Sequence, residues 1–336
     1  MSDLITTREL SGVPPTDASV VELKQGIQSW LEPAIKHYKD LAIPMPEPVQ
    51  KCTDDIKKTY EEYFSKFGIT DIQWPQIVYT DKELDIGERE SAWGIALPGL
   101  VAVSEQGGKH SFVGSLLKAK ATVSLKTQEN MTFIGSSLSL AHELFHATAP
   151  SIVNETIQRA GGLDKVFGKK DQRVITIDRQ GLQFQKSKYH KKGYAVEEGL
   201  AMLAEHRMKT VIEKHFPSEW TTLSKAAEHA FAEIPDSGFP PESFTVINEV
   251  PFAYPASINL VKELLNTVPD FEKLSTRARI LHETLPLARA IENVYGPKSY
   301  SKIMLATEFT ADKILKDIKN VRPVIRFGQA PAPVQQ

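Results

Sequence analysis

The sequence predicts an α+β protein with a helical start, a small, mainly antiparallel sheet packed on one buried helix, and an all-helical C-terminal lobe. Three observations carry this expectation. Apolar residues recur at helical spacing near the N-terminus, in Val21, Ile27, Leu31 and Ile35. Short β-prone runs punctuated by Gly and Pro fill the stretch from Gln76 to Glu105. From Ser218 onward the pattern is helical almost to the end.

In chain order, residues 1–18 are polar and carry Pro14 and Pro15, and the first helix runs from Val20 to Lys39. Pro44, Pro46 and Pro48 make residues 42–49 a connector, after which Thr53 and Asp54 are placed to cap a helix through Ile56, Tyr60, Tyr63 and Phe64 to Gly68. Strands are expected at Ile77–Tyr79, Ala92–Ala96 and Leu100–Val103, with further strands at 121–126 and 131–135 and a loop at Gln106–Lys109. Ser137 and Ser139 stand at the start of an apolar, periodic run from Leu138 to Ala149 that Pro150 ends, the pattern of a buried helix with a hydroxyl cap. Residues 173–185 alternate around a hairpin turn at Asp178-Arg179-Gln180-Gly181, and Tyr194–Glu213 is helical. Helices follow at 218–232, 255–266, 270–293 and 299–319. The expected organisation is a helical segment 1–75, a core 76–215 with an insertion at 151–190, a helical lobe 216–325, and a disordered tail 326–336.

Composition excludes several function classes. The chain has 336 residues, 41% hydrophobic and 24% charged, which suits a folded protein of about two lobes with a cleft between them. With 40 basic against 42 acidic residues there is no general attraction to nucleic acid or to an anionic membrane. Neither a basic and apolar leader nor an 18-residue apolar run is present, so the reading is a soluble, cytoplasmic protein without a membrane role. Cys52 is the only cysteine, so any metal must be held by His and carboxylates.

The chemistry concentrates in His142-Glu143-Leu144-Phe145-His146. Two histidines four apart lie one turn along the same helical face, where both imidazoles can reach one cation, and Glu143 projects toward the water that such a cation binds. Zn2+ suits imidazole and carboxylate ligands in a tetrahedral site with one open position. A third ligand is needed, and the best donors are Glu197 and Glu198, two carboxylates at the start of an otherwise apolar helix. The bland reading is that they only favour the positive end of the helix dipole.

At these residues the sequence resembles the gluzincin metallopeptidases, the group that includes thermolysin and the aminopeptidase-N type enzymes. The resemblance covers the two motif helices and their immediate setting. It implies a zincin-like fold, a zinc-dependent hydrolysis of peptide bonds, and a peptide or protein as substrate. His142, Glu143 and His146 match the first motif, and Glu198, directly before Gly199 in Glu-Glu-Gly-Leu-Ala, matches the third ligand. Glu143 is then the general base, and the run from Ala92 to Val103 resembles the sheet whose edge strand aligns the substrate. The spacing departs from familiar members, in which the glutamate follows the second histidine closely, because here 52 positions separate His146 from Glu198. Residues 151–190 must therefore be looped out. Thermolysin-like enzymes also carry a histidine-orienting aspartate one turn after the ligand, where this chain has Met202, so that role falls to Glu205 or a backbone carbonyl.

An oxyanion donor completes the expectation. Tyr254, just before Pro255 at a helix start in the C-terminal lobe, is the preferred candidate, with Tyr189, His190, Tyr194 and His206 as competitors. The basic run Lys186–Lys192 reads as a solvated loop or as an attractor of acidic substrate segments. His37, His110, His215, His229 and His282 are isolated and carry no assigned role. Two other readings stay open: an inactive binding protein on the same scaffold, and a helical interaction protein whose motif is coincidental.

Overall fold

A computed structural model describes residues 4–87, 90–92, 94–105, 125–158, 172–187, 190–221, 245–247, 250–252 and 254–320. The architecture is α+β, mostly helical, with two small mixed sheets and two hairpins among the described residues. Trp93, the loop at 106–109, His110, the expected strand at 121–124, Tyr189, the helix at 222–232, His229 and the tail lie outside the described residues.

The chain opens with β1 (Leu4–Thr6) and a short α1 (Thr7–Leu10) before the long α2 (Ala18–Asp40). Asp17 caps α2 by accepting a hydrogen bond from the Ser19 amide, and Val20, Leu23, Ile27 and Leu31 form its buried stripe. The start is thus not purely helical, since β1 pairs in parallel with a strand 147 residues downstream, Leu4 opposite Ser151. Next, α3 (Glu47–Ser65) begins six residues before the expected cap at Thr53. Pro48 sits in its first turn, where a missing amide is harmless, and Thr53 lies inside the helix with its hydroxyl donating to the Val49 carbonyl.

Five strands follow: β2 (Gln76–Thr80), β3 (Leu84–Gly87), β4 (Glu90–Ala92), β5 (Gly94–Leu97) and β6 (Leu100–Ser104). Pro98 and Gly99, the latter at φ 77°, turn β5 into β6. The sheet order is β2-β6-β5, with β5 antiparallel and β2 parallel to β6, so this sheet is mixed rather than mainly antiparallel. β3 to β5 intervene in the chain between β2 and β6 and bring β6 back alongside β2 in the same direction.

On this sheet packs α4 (Leu125–Ala147), the helix of the His-Glu-x-x-His motif. It starts 12 residues before Ser137, and the expected strands at 125–126 and 131–135 are its first turns. Tertiary packing overrides the β-prone composition there: Phe133 and Ile134 are buried in the core, and Ser136, 0% exposed, lies within reach of the Tyr79 hydroxyl. From the other side α3 braces α4, with Tyr60, Phe64 and Phe145 ring against ring and the Tyr60 hydroxyl donating to the Ala141 carbonyl at 2.8 Å.

The region expected to loop out builds the second sheet instead. Strands β7 (Ser151–Gln158), β8 (Gln172–Gln180), β9 (Gln183–Ser187) and β10 (His190–Lys192) join β1 in the order β1-β7-β8-β9-β10. The hairpin expected near Gly181 is present, with Gly181 at φ 57° in the turn between β8 and β9. Then come α5 (Tyr194–Arg207), which starts after Gly193 at φ 76°, and α6 (Lys209–His215).

Beyond α6 the C-terminal lobe is not all helical. β11 (Thr245–Ile247) and β12 (Val250–Phe252) form a hairpin before α7 (Pro255–Thr267), α8 (Phe271–Ile280), α9 (Thr284–Tyr295), α10 (Ser299–Ile303) and α11 (Ala311–Lys319). The expected helix 270–293 breaks where His282 takes a left-handed conformation at φ 60°, and 299–319 breaks at residues 304–310. α7 crosses α5 closely: a Cβ on Gly199 would stand 2.5 Å from the Ser257 carbonyl oxygen. No described helix is long and apolar enough to cross a membrane.

Candidate metal centre

Helix geometry brings the motif together. His142 and His146 are one turn apart on α4, and α5 lies against that face with Glu198 in its first turns. His142 Nε2 and His146 Nε2 are 3.1 Å apart, and Glu198 Oε2 lies 3.4 Å from the first and 3.6 Å from the second. A tetrahedral cation with bonds of about 2.0–2.1 Å needs ligand atoms about 3.3 Å from one another. These three atoms fit that triangle, and His142, His146 and Glu198 form a group able to hold a metal ion.

Each imidazole also has a carboxylate on its other nitrogen. His142 Nδ1 is 3.4 Å from Glu205 Oε2, and His146 Nδ1 is 3.3 Å from Glu197 Oε1. Such partners fix the ring orientation and leave Nε2 aimed at a cation. Met202 is buried among apolar side chains, and the carboxylate beside His142 Nδ1 is that of Glu205.

The charges respond to this crowding. Burial disfavours an imidazolium at His142, but Glu198 and Glu205 outweigh it and hold its pKa well above the ordinary value. At His146 burial is likewise outweighed, by Glu198 and Glu197, and the pKa rises to about 9. Burial opposes the Glu198 carboxylate, yet the two imidazoles bring its pKa far below the usual range. Metal uptake by these atoms displaces imidazole protons, so it releases protons and weakens as the pH falls.

Glu197 points the other way around α5. Its side chain is 1% exposed and accepts from Arg279 Nε at 2.8 Å and from the Leu182 amide at 2.9 Å. Burial works against its charge, but Arg279 and His146 pull its pKa down to about 2. Gly181 lies so near that a Cβ there would stand 2.6 Å from Glu197 Oε1, and its φ of 57° also favours glycine. Arg279, 0% exposed, donates from Nη2 to the Phe145 carbonyl at 2.8 Å and from Nη1 to Thr148 Oγ1 at 3.3 Å, and stacks on the Phe145 ring. Breaking a buried pair of this kind costs about 3–5 kcal/mol.

Glu143 faces the sheet edge. A Cβ on Gly94, the first residue of β5, would stand 2.5 Å from Glu143 Cγ, so the strand and the Glu143 side chain are in direct contact. Burial raises the Glu143 carboxyl pKa, and the two imidazoles oppose that rise.

Tyr254 lies at the start of α7 in a left-handed conformation, φ 59° and ψ 49°, uncommon for a bulky residue. Its side chain does not cap α7. Glu308 does, accepting from the Ala256 and Ser257 amides at 2.8 and 3.0 Å and from the Ser257 hydroxyl at 2.6 Å. The Tyr194 hydroxyl donates to the Tyr254 hydroxyl at 3.3 Å, with the rings edge to face. Both phenols have pKa values raised first by burial and then by the charge of Glu198, which places the pair in the field of the metal group. The His206 pKa is lowered by burial and then by Lys209, Lys262 and Arg207, and His190 is described only as part of β10.

Sequence reasoning missed Arg279 and the contact between Gly94 and Glu143. The available signal for the former was Glu197 itself: two adjacent carboxylates in one apolar helix cannot face the same cation, so the second requires a cation of its own. Comparison with protein-family models, curated proteins and solved structures returns no match for this chain.

Proposed function

We propose that the protein is a zinc-dependent hydrolase of peptide bonds, with His142, His146 and Glu198 as ligands and Glu143 as general base. The observation that supports this best is the convergence of two Nε2 atoms and one carboxylate oxygen at 3.1–3.6 Å, beside the buried carboxyl group of Glu143. Zinc is preferred because two imidazoles and one carboxylate with an open position suit its chemistry. When bound, it supplies Lewis-acid polarisation and lowers the pKa of water at its open position. Glu143 takes the proton from the attacking water and returns it to the leaving amine, a task suited to a carboxyl group whose pKa is raised by burial. β5 forms one end of the described sheet order and touches Glu143 through Gly94, so an extended peptide laid along β5 passes beside the base.

The test is cleavage of an unfolded protein substrate by purified protein, with the new carboxyl and amino termini identified by mass spectrometry. Cleavage should stop with a chelator and return with zinc. Stoichiometric metal without any hydrolysis would favour the inactive binding scaffold instead.

Two substitutions probe the site's edges. Gly94→Ala should leave zinc content unchanged and lower kcat/KM by about 100-fold, because the added methyl displaces Glu143 and an ångström of misplacement costs on that order. Unchanged kinetics would detach β5 from the reaction. Tyr254→Phe should keep zinc and lower kcat by about 10²- to 10³-fold if its hydroxyl donates to the oxyanion. A rate within a few-fold of wild type moves that role to Tyr194, the other phenol of the pair.

A further inference from the structure

Two side chains connect the C-terminal lobe to the metal group without touching a ligand atom. Arg279 on α8 holds the Glu197 carboxylate with its Nε and Nη2, both at 2.8 Å from Oε1. The same Oε1 faces His146 Nδ1 at 3.3 Å, while Glu197 Oε2 is held by the Leu182 amide at the β8–β9 turn. The guanidinium is itself fixed by the Phe145 carbonyl and Thr148 Oγ1, at the C-terminal end of the helix that carries both histidines. A cation is favoured at that helix end by the aligned carbonyls.

Every polar atom around Glu197 therefore restricts the carboxylate to one position. That position decides which way the His146 ring can turn. An unsupported carboxylate would leave the imidazole free to rotate about its χ2 bond, carrying Nε2 out of the triangle it forms with His142 Nε2 and Glu198 Oε2.

We propose that Arg279 is a positioning residue for the metal group: through Glu197 it orients His146, so that metal affinity depends on α8 of the C-terminal lobe being docked against α4. The proposal rests on the reading of His142, His146 and Glu198 as metal ligands. Its consequence is that this lobe tightens metal binding even though it supplies no ligand. Partners of this outer kind change metal affinity by about 10- to 100-fold when removed.

The experiment measures zinc affinity of the full chain by competition with a chromogenic chelator, for wild type, Arg279→Lys and Glu197→Gln, with folding followed by circular dichroism. Arg279→Lys keeps the charge but cannot hold Glu197, the Phe145 carbonyl and Thr148 together. The expected result is that folded Arg279→Lys binds zinc about 10- to 100-fold more weakly, with Glu197→Gln weakened similarly. A purely structural arginine would lower the melting temperature and leave the affinity of the folded protein unchanged, which overturns the proposal. Wild-type protein that binds no zinc overturns the ligand reading itself, a separate outcome. Should both variants fail to fold, nitrogen-15 NMR of zinc-loaded wild type decides: slowly exchanging protons on His146 Nδ1 and Arg279 Nε support the chain of contacts, and rapid exchange at His146 Nδ1 overturns it.

Discussion

Glu143→Gln is expected to abolish most peptide hydrolysis, by about 10²- to 10⁴-fold in kcat/KM, while zinc content stays at wild-type level. Glutamine keeps the shape of glutamate, so the contact with Gly94 and the packing of α4 against the sheet are preserved. None of the atoms that converge on the metal position belongs to residue 143. What is lost is the ability to accept a proton, and that loss falls on the transition state rather than on substrate binding. KM should therefore change little. Metal analysis together with steady-state kinetics checks the result, and retained turnover would assign the base to another group.

The second large effect separates two neighbouring residues. Glu198→Gln should weaken zinc binding by more than about 100-fold, beyond what loss of an outer partner produces, because Oε2 of Glu198 stands within 3.6 Å of both Nε2 atoms. Glu197→Gln should act mainly on the fold. It leaves the buried Arg279 without its counter-charge, a loss of about 3–5 kcal/mol, and its effect on metal affinity is the smaller of the two. Chemical denaturation and chelator competition on both variants give the comparison. If Glu197→Gln empties the site while Glu198→Gln does not, the ligand assignment is off by one residue.

Much of this organisation was legible in the sequence because it rests on local pattern. The spacing of His142 and His146 and the apolar run around them require only a helix, and the convergence of Nε2 atoms follows from its geometry. The hairpin at Gly181 was marked by a residue that tolerates positive φ. Other features depend on contacts distant in sequence. α4 extends back to Leu125 through a stretch whose composition favours strands, because Phe133 and Ile134 find partners across the core. β1 acquires a strand conformation only by pairing with β7, and nothing in Leu-Ile-Thr announces that partner. Arg279 is likewise silent in its own helix, where its neighbour Arg277 instead pairs with Glu283 at the surface.

Anomalous diffraction at the zinc absorption edge, from crystals of the full chain, shows directly whether His142, His146 and Glu198 hold a zinc ion. One peak per chain is expected, about 2.0–2.2 Å from His142 Nε2, His146 Nε2 and Glu198 Oε2, with Glu143 near but not bound. An anomalous peak coordinated by other residues, or no zinc in protein prepared without chelators, would contradict it.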